Sequence, residues 1–216
     1  FNIILKHSDD TAKYDLFERL NTGGSSASSQ EVRNAILIRE NNGVFKILDS
    51  LSKNEDFIST TNLSDSLLDE RFDLELITRF IILKNLDLKV LAKTTATDYL
   101  TDELILRAND KEYDWENEKL IFANTFKIIK DTVGESSFRK YNEQKQKFEG
   151  GFVVSGFEVI ALGIANNILI VQNDLVVTKV IEFWKAKDLG NIKWAGRNTT
   201  NRLLKTLQFG RELFSK

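Results

Sequence analysis

The residues whose types and spacing point to chemistry lie near the start of the chain, in Phe17-Glu-Arg-Leu-Asn-Thr-Gly-Gly24, with Ser28-Ser-Gln-Glu-Val-Arg-Asn-Ala35 close behind. Leu16, Phe17 and Leu20 fall at helical spacing, and Asn21-Thr22-Gly23-Gly24 then breaks the helix. Two glycines in succession admit positive φ, so neighbouring backbone N–H groups can converge into a concavity that holds an anion. Ser28 and Glu31 have capping-box spacing and open the next helix, whose positive dipole end faces the same loop. Arg19 and Arg33 flank the loop as fixed positive charge. The chemistry this would serve is phosphate binding. A helix, a Gly-Gly turn and a second helix also form a plain chain reversal, with glycine as an ordinary C-cap.

A second candidate is basic. Lys193, Arg197, Arg202, Lys205, Arg211 and Lys216 stand against the single acid Glu212. Arg202 and Lys205 are i, i+3 on one helix, and Asn198-Thr199-Thr200-Asn201 precedes them with donors at its N-terminus. Arg197, Arg202 and Lys205 are therefore candidate contacts to a nucleic-acid backbone, sequence-blind and salt-sensitive. The competing account is a solvated helix with cations placed favourably along the dipole.

Composition excludes several classes. There is no cysteine, so there are no disulfides or thiolate metal sites, and the single histidine, His7, cannot supply a zinc site, a His-Met-finger or HNH nuclease, or a Ser-His-Asp triad buried in the helical half. His7 itself reads as a solvated turn residue. The net charge of −2 and pI near 5.7 give no global pull toward nucleic acid or an anionic membrane. No apolar run is long enough to span a membrane, no signal peptide is visible, and a cytoplasmic protein is expected. Proline is absent, where about ten would be usual, which favours long helices. The carboxylates from Glu55 to Glu75 form a locally acidic stretch. They read as a solvated face, and Asp69 and Asp73 suit a helix start better than an ion site.

The Phe-x-x-x-Asn pattern of Phe17 and Asn21 within LFERLNTGG, followed by QEVRNAI from Gln30 to Ile36, resembles a signature of the ParB-like domain of GmrSD-type restriction endonucleases. GESSFRKY (Gly134 to Tyr141), GFEVIALGIA (Gly156 to Ala165) and NTTNRLLKTLQFGRELF (Asn198 to Phe214) are similar, in the same order, to the helical half of that family. The resemblance implies a ParB/sulfiredoxin-like α/β core, nucleotide binding and hydrolysis, and a role in DNA restriction against phage. It implies that Phe17 packs the loop, that Asn21 bonds a nucleotide, and that Thr22, Gly23 and Gly24 cradle phosphate with Arg19 and Arg33 nearby. A nucleoside triphosphate with Mg is the implied cofactor. The family's Asp-Gly-Gln-Gln-Arg catalytic run has no match here. The chain is thus expected to be the second part of a longer protein, inactive alone, supplying one wall of a nucleotide site. DNA, the upstream part of the same protein and a second copy of the chain are the partners it allows. The alternative is a non-catalytic helical module that binds DNA or protein.

The elements that must position these residues are mostly helical. The expected fold is mainly α: a helical bundle with a short N-terminal strand left from the α/β core. Residues 1–53 would close that core and residues 54–216 form the helical domain. Phe1 to Lys6 reads as a strand, His7 to Asp10 as a turn and Thr11 to Leu20 as a helix. Helices follow at Ser29–Asn41 and Gly43–Ser52, and Asn54–Leu68 reads as a loop with at most one short turn. Apolar stripes then predict helices at Asp69–Asn85, Thr97–Asn109, Trp115–Val133, Ser155–Leu169, Asn173–Ala186 and Thr199–Phe214. Glu135–Tyr141 reads as a short helix and Asn142–Gly151 as a polar loop or hinge. Ala161, Gly163 and Ala165 are small enough for a neighbouring helix to approach closely.

Overall fold

A computed structural model describes residues 28–91, 95–188 and 199–215. The expected strand, turn and helix over 1–20, the Asn21–Gly24 loop, and Phe17, Arg19 and Arg197 lie outside these. The described residues hold ten α-helices, one 3-10 turn and a two-stranded hairpin: α1 (Ser29–Leu51), α2 (Glu55–Thr61), α3 (Asp65–Asp69), α4 (Phe72–Leu83), α5 (Leu88–Leu91), α6 (Ala96–Asn109), α7 (Trp115–Thr132), the 3-10 turn Gly134–Ser136, β1 (Lys140–Asn142), β2 (Lys147–Glu149), α8 (Val154–Asn166), α9 (Asn173–Asp188) and α10 (Thr199–Phe214). The expectation of a mainly helical bundle holds.

The first helix starts where its capping box places it. The Glu31 N–H donates to Ser28 Oγ at 3.2 Å, and the Ser28 N–H donates to Glu31 Oε2 at 2.7 Å. The two helices expected over 29–52 are both present, as two segments of α1 that meet at a kink at Asn41, where φ is −151° and ψ 83°. Asn41 explains the break. Its Oδ1 accepts the Val44 N–H at 3.2 Å, capping the second half, and its Nδ2 donates to the Ala108 carbonyl at 2.6 Å, fixing the bend to α6.

The stretch expected as a loop over 54–68 is a helix followed by a short turn of helix. Asn54 Oδ1 accepts the Phe57 N–H at 2.9 Å and starts α2. Phe57 is its one large anchor, packed 5.4 and 5.0 Å from the rings of Phe122 and Phe126. The rest of its buried face is Thr60 and Thr61, whose hydroxyls bond back to the Asp56 and Phe57 carbonyls at 2.6 and 2.7 Å. A helix buried through threonines shows no apolar period. The short helix and polar loop expected over 135–151 are instead a 3-10 turn and a hairpin, with Tyr141 opposite Phe148 and the rings 5.1 Å apart. Three-residue strands are too short for a visible alternation.

The centre of the bundle is α4. It starts three residues later than its apolar pattern allows, because Arg71 takes a left-handed φ of 54°. Leu74, Leu76, Ile77, Phe80, Ile81, Ile82 and Leu83 are all essentially inaccessible. It lacks a glycine at its C-terminus, and side chains from three other helices take its last carbonyls. Arg107 donates to the Ile81 oxygen at 2.8 Å, Arg211 to Leu83 and Lys84 at 3.1 Å each, and Asn166 to Lys84 at 2.9 Å.

Among the described residues, α8 crosses α10 at close range. A Cβ on Gly163 would sit 2.6 Å from the Gly210 oxygen, and one on Gly210 would sit 2.4 Å from the Val159 oxygen. The expected close approach at Gly163 is therefore made, and its partner is a second glycine.

Candidate functional site

The first turns of α1 carry Arg33, and its side chain turns inward. The guanidinium is 2% exposed; its Nε donates to Thr101 Oγ1 at 3.1 Å, and Nη1 contacts both Gln30 Oε1 and Glu75 Oε2. Glu75 also accepts from Arg79 Nε at 2.8 Å. Arg79 Nη1 reaches Glu158 Oε1 at 3.3 Å. Glu158 is fully buried on α8 and receives Arg202 of α10 through both oxygens, Nη2 to Oε1 at 2.7 Å and Nε to Oε2 at 3.1 Å. The Thr206 hydroxyl lies 3.1 Å from the same carboxylate. The result is an alternating ladder, Arg33–Glu75–Arg79–Glu158–Arg202, running from the first described helix to the last. Arginine suits this role because its planar fork can serve two carboxylates at once.

The electrostatics of the ladder are set by its burial. Burial alone drives the Glu75 carboxyl upward, but Arg79 and Arg33 more than reverse this and hold it below its ordinary value of 4.5. The folded chain therefore binds fewer protons here than the unfolded chain at mildly acid pH. The stability this contributes is present above about pH 4.5 and is lost as pH falls through the lowered value. Urea unfolding at several pH values should show stability falling more steeply with acid in the wild type than in Glu75→Gln. Equal slopes would remove Glu75 as a source of acid sensitivity.

A second buried set lies at the far end of α4. Lys84 Nζ pairs with Glu118 Oε2, Tyr113 donates to Glu118 Oε1 at 2.9 Å, and Arg107 Nη1 donates to the Tyr113 oxygen at 3.2 Å. Burial lowers the Lys84 pKa, partly offset by Glu118, and raises that of Tyr113. A lysine with a weakened charge is a base or nucleophile when substrate reaches it. Lys84 is 2% exposed and sits 5.7 Å from the Phe80 ring centre, so its role here is structural.

Of the sites expected from sequence, Arg33, Arg202 and Lys205 are among the described residues. Phe17, Arg19, Asn21, Thr22, Gly23, Gly24 and Arg197 are not. The N-terminus of α1 is partly filled, because the Glu31 carboxylate already accepts the Ser28 N–H. On α10, Arg211 and Arg202 turn inward, Thr200 Oγ1 accepts the Ala96 N–H at 3.1 Å, and Lys205 is exposed. Glu75, expected on the solvated acidic face that begins at Glu55, is instead buried between Arg33 and Arg79 because those two guanidiniums pair its charge, and Arg79 and Glu158 escape a reading by motif. Their one signal was a charge inside an otherwise apolar run, as in Gly156-Phe-Glu-Val-Ile160.

An open depression of about 800 Å³ lies beside the hairpin, lined by Tyr141, Asn142, Lys145, Glu149 and Gly150–Gly151. Its polar groups bond one another: Asn142 and Lys145 to Glu149 at 2.5 and 3.0 Å, and Tyr141 to Gln146 at 2.9 Å. Among the described residues no three His, Cys, Asp or Glu side chains converge as a metal site requires, and no helix is long and apolar enough to cross a membrane. No protein-family model, curated protein or solved structure matches this chain.

Proposed function

We propose that the chain is the helical part of a ParB-like, nucleotide-dependent restriction or phage-defence protein that acts on or senses DNA. The observation that carries this reading is the LFERLNTGG sequence followed, four residues on, by a capped helix bearing QEVRNAI. The buried ladder supports it mechanically. Arg33 clamps the start of α1 to α4 and, through Glu158, to α10, so the helix behind the loop has a rigid footing. In this reading Asn21 and Thr22–Gly24 hold a nucleoside triphosphate with its Mg, and hydrolysis requires an Asp-Gly-Gln-Gln-Arg run that has no match among these residues. DNA would meet α10 at the exposed Lys205, with the partly exposed Arg202 one turn away.

The test is nucleotide hydrolysis by the longest natural form, with and without DNA, comparing wild type with Asn21→Ala. DNA-stimulated turnover that drops at least tenfold in Asn21→Ala, with unchanged folding, is expected. Turnover unaffected by the substitution would remove Asn21 from the site. No turnover in either protein, with DNA binding retained, would favour a non-catalytic binding module.

A further inference from the structure

The ladder contains three guanidiniums, Arg33, Arg79 and Arg202, and two carboxylates, Glu75 and Glu158, leaving an excess of one positive charge. Its two ends are not equivalent. Arg33 is sealed at 2% exposure and also tied to Gln30 and Thr101. The Arg202 side chain is 23% exposed, one helical turn from the exposed Lys205. If Arg202 leaves, the remaining Arg33, Arg79, Glu75 and Glu158 are balanced in charge. Glu158 then keeps Arg79 Nη1 at 3.3 Å and the Thr206 hydroxyl at 3.1 Å. Removing either carboxylate would instead leave three guanidiniums sharing one acid. Loss of any one arginine leaves two charges of each sign, but Arg202 is the most exposed of the three, at 23% against 2% for Arg33 and 11% for Arg79, so it is the member placed to turn outward, and its fork matches a phosphate as well as a carboxylate.

We propose that Arg202 and Lys205 form a phosphate-binding pair on α10, and that Glu158 is its internal competitor, holding the Arg202 guanidinium inward until a phosphodiester of DNA takes it. The proposal rests on the reading that α10 contacts DNA, and adds to it a gate. Binding then includes the exchange of one bidentate partner for another, so the apparent affinity is lowered by the fraction of molecules with Arg202 turned inward. Removing the Glu158 charge lifts that reduction.

The experiment uses the full chain with a fluorescent 20-base-pair duplex, measuring affinity against salt concentration for wild type, Arg202→Ala, Lys205→Ala and Glu158→Gln. In the wild type, the Arg202 Nε–Hε resonance is followed during titration with duplex and, separately, with inorganic phosphate at equal ionic strength. Each alanine variant should flatten the slope of log affinity against log salt by about 0.9, the loss of one phosphate contact. Glu158→Gln should bind several-fold more tightly. The Arg202 resonance should move, and its exchange protection fall, with duplex but not with inorganic phosphate; this part needs no folded variant. A slope lowered by Lys205→Ala alone, with the Arg202 resonance unmoved, would overturn the gate and leave the DNA contact standing. A resonance moved equally by inorganic phosphate would overturn DNA as the source of the phosphate. No DNA binding by the wild type would overturn both the gate and the DNA contact.

Discussion

Replacing Glu158 with alanine should cost about 3–5 kcal/mol of folding stability, the range for removing one partner from a buried ion pair. Glu158 is fully buried in the middle of α8 and takes hydrogen bonds from Arg79 and Arg202, with the Thr206 hydroxyl beside it. Without it, three guanidiniums share the single carboxylate of Glu75. The surrounding apolar residues Phe157, Val159 and Ile160 offer those charges nothing in return. Arg202→Ala should cost much less, because it leaves equal numbers of buried cations and carboxylates. The check is the urea midpoint at neutral pH, with the denaturant slope confirming that both variants unfold from the same compact state. A loss below about 1 kcal/mol for Glu158→Ala would mean that water enters the ladder freely, contrary to the burial of its members.

The second large effect belongs to the glycine pair between α8 and α10. Gly210→Ala adds a methyl carbon that would lie 2.4 Å from the Val159 oxygen and 3.1 Å from its carbonyl carbon. Both are backbone atoms, so no side-chain rotation relieves the clash and the helices must move apart. Alanine is the better helix former by about 1 kcal/mol, which opposes the clash. Overpacking of a core typically costs about 1–3 kcal/mol and sometimes more, and here it wins because the whole α8–α10 face separates. A net loss of about 2 kcal/mol in thermal or urea unfolding is expected for Gly210→Ala. Gly163→Ala should behave alike, since its Cβ would meet the Gly210 oxygen at 2.6 Å. A stabilised Gly210→Ala would show that helix propensity outweighs the contact. Gly151→Ala is a suitable control, having no atom within 4 Å of an added Cβ.

These two regions also show how far local pattern carries. Gly163 is visible in sequence as a small residue on an apolar helix face, and a close neighbour follows from that alone. That the neighbour is Gly210, 47 positions on, is a property of the packing. Glu158 makes the same point for charge. A carboxylate inside GFEVIALGIA is visible as an oddity, but its partners Arg79 and Arg202 come from helices whose own patterns place those arginines beside the apolar stripe, as ordinary surface cations. Arg202 reads naturally as a nucleic-acid contact, and only the fold reveals the carboxylate already facing it. The loop expected over 54–68 differs for a related reason: Thr60 and Thr61 are buried by bonding their own helix, so α2 carries no apolar repeat to detect.

Periodicity and capping alone determine most of this protein's helices. The capping box of Ser28 and Glu31, the apolar run from Phe72 to Leu83 and the stripe of α7 act within one or two turns, where backbone geometry dictates which residues share a face. The candidate phosphate loop from Phe17 to Gly24 is likewise a local pattern, legible because glycine and polar types act at adjacent positions. Only the tertiary structure decides the side-chain caps on α4, the bend held by Asn41 and the ladder from Arg33 to Arg202. Each depends on groups 26 or more positions apart, such as Arg107 with Ile81, Arg33 with Glu75 and Glu158 with Arg202, meeting in an interior where an unpaired charge is costly. No periodicity encodes such a meeting; it follows from which helix faces bury one another.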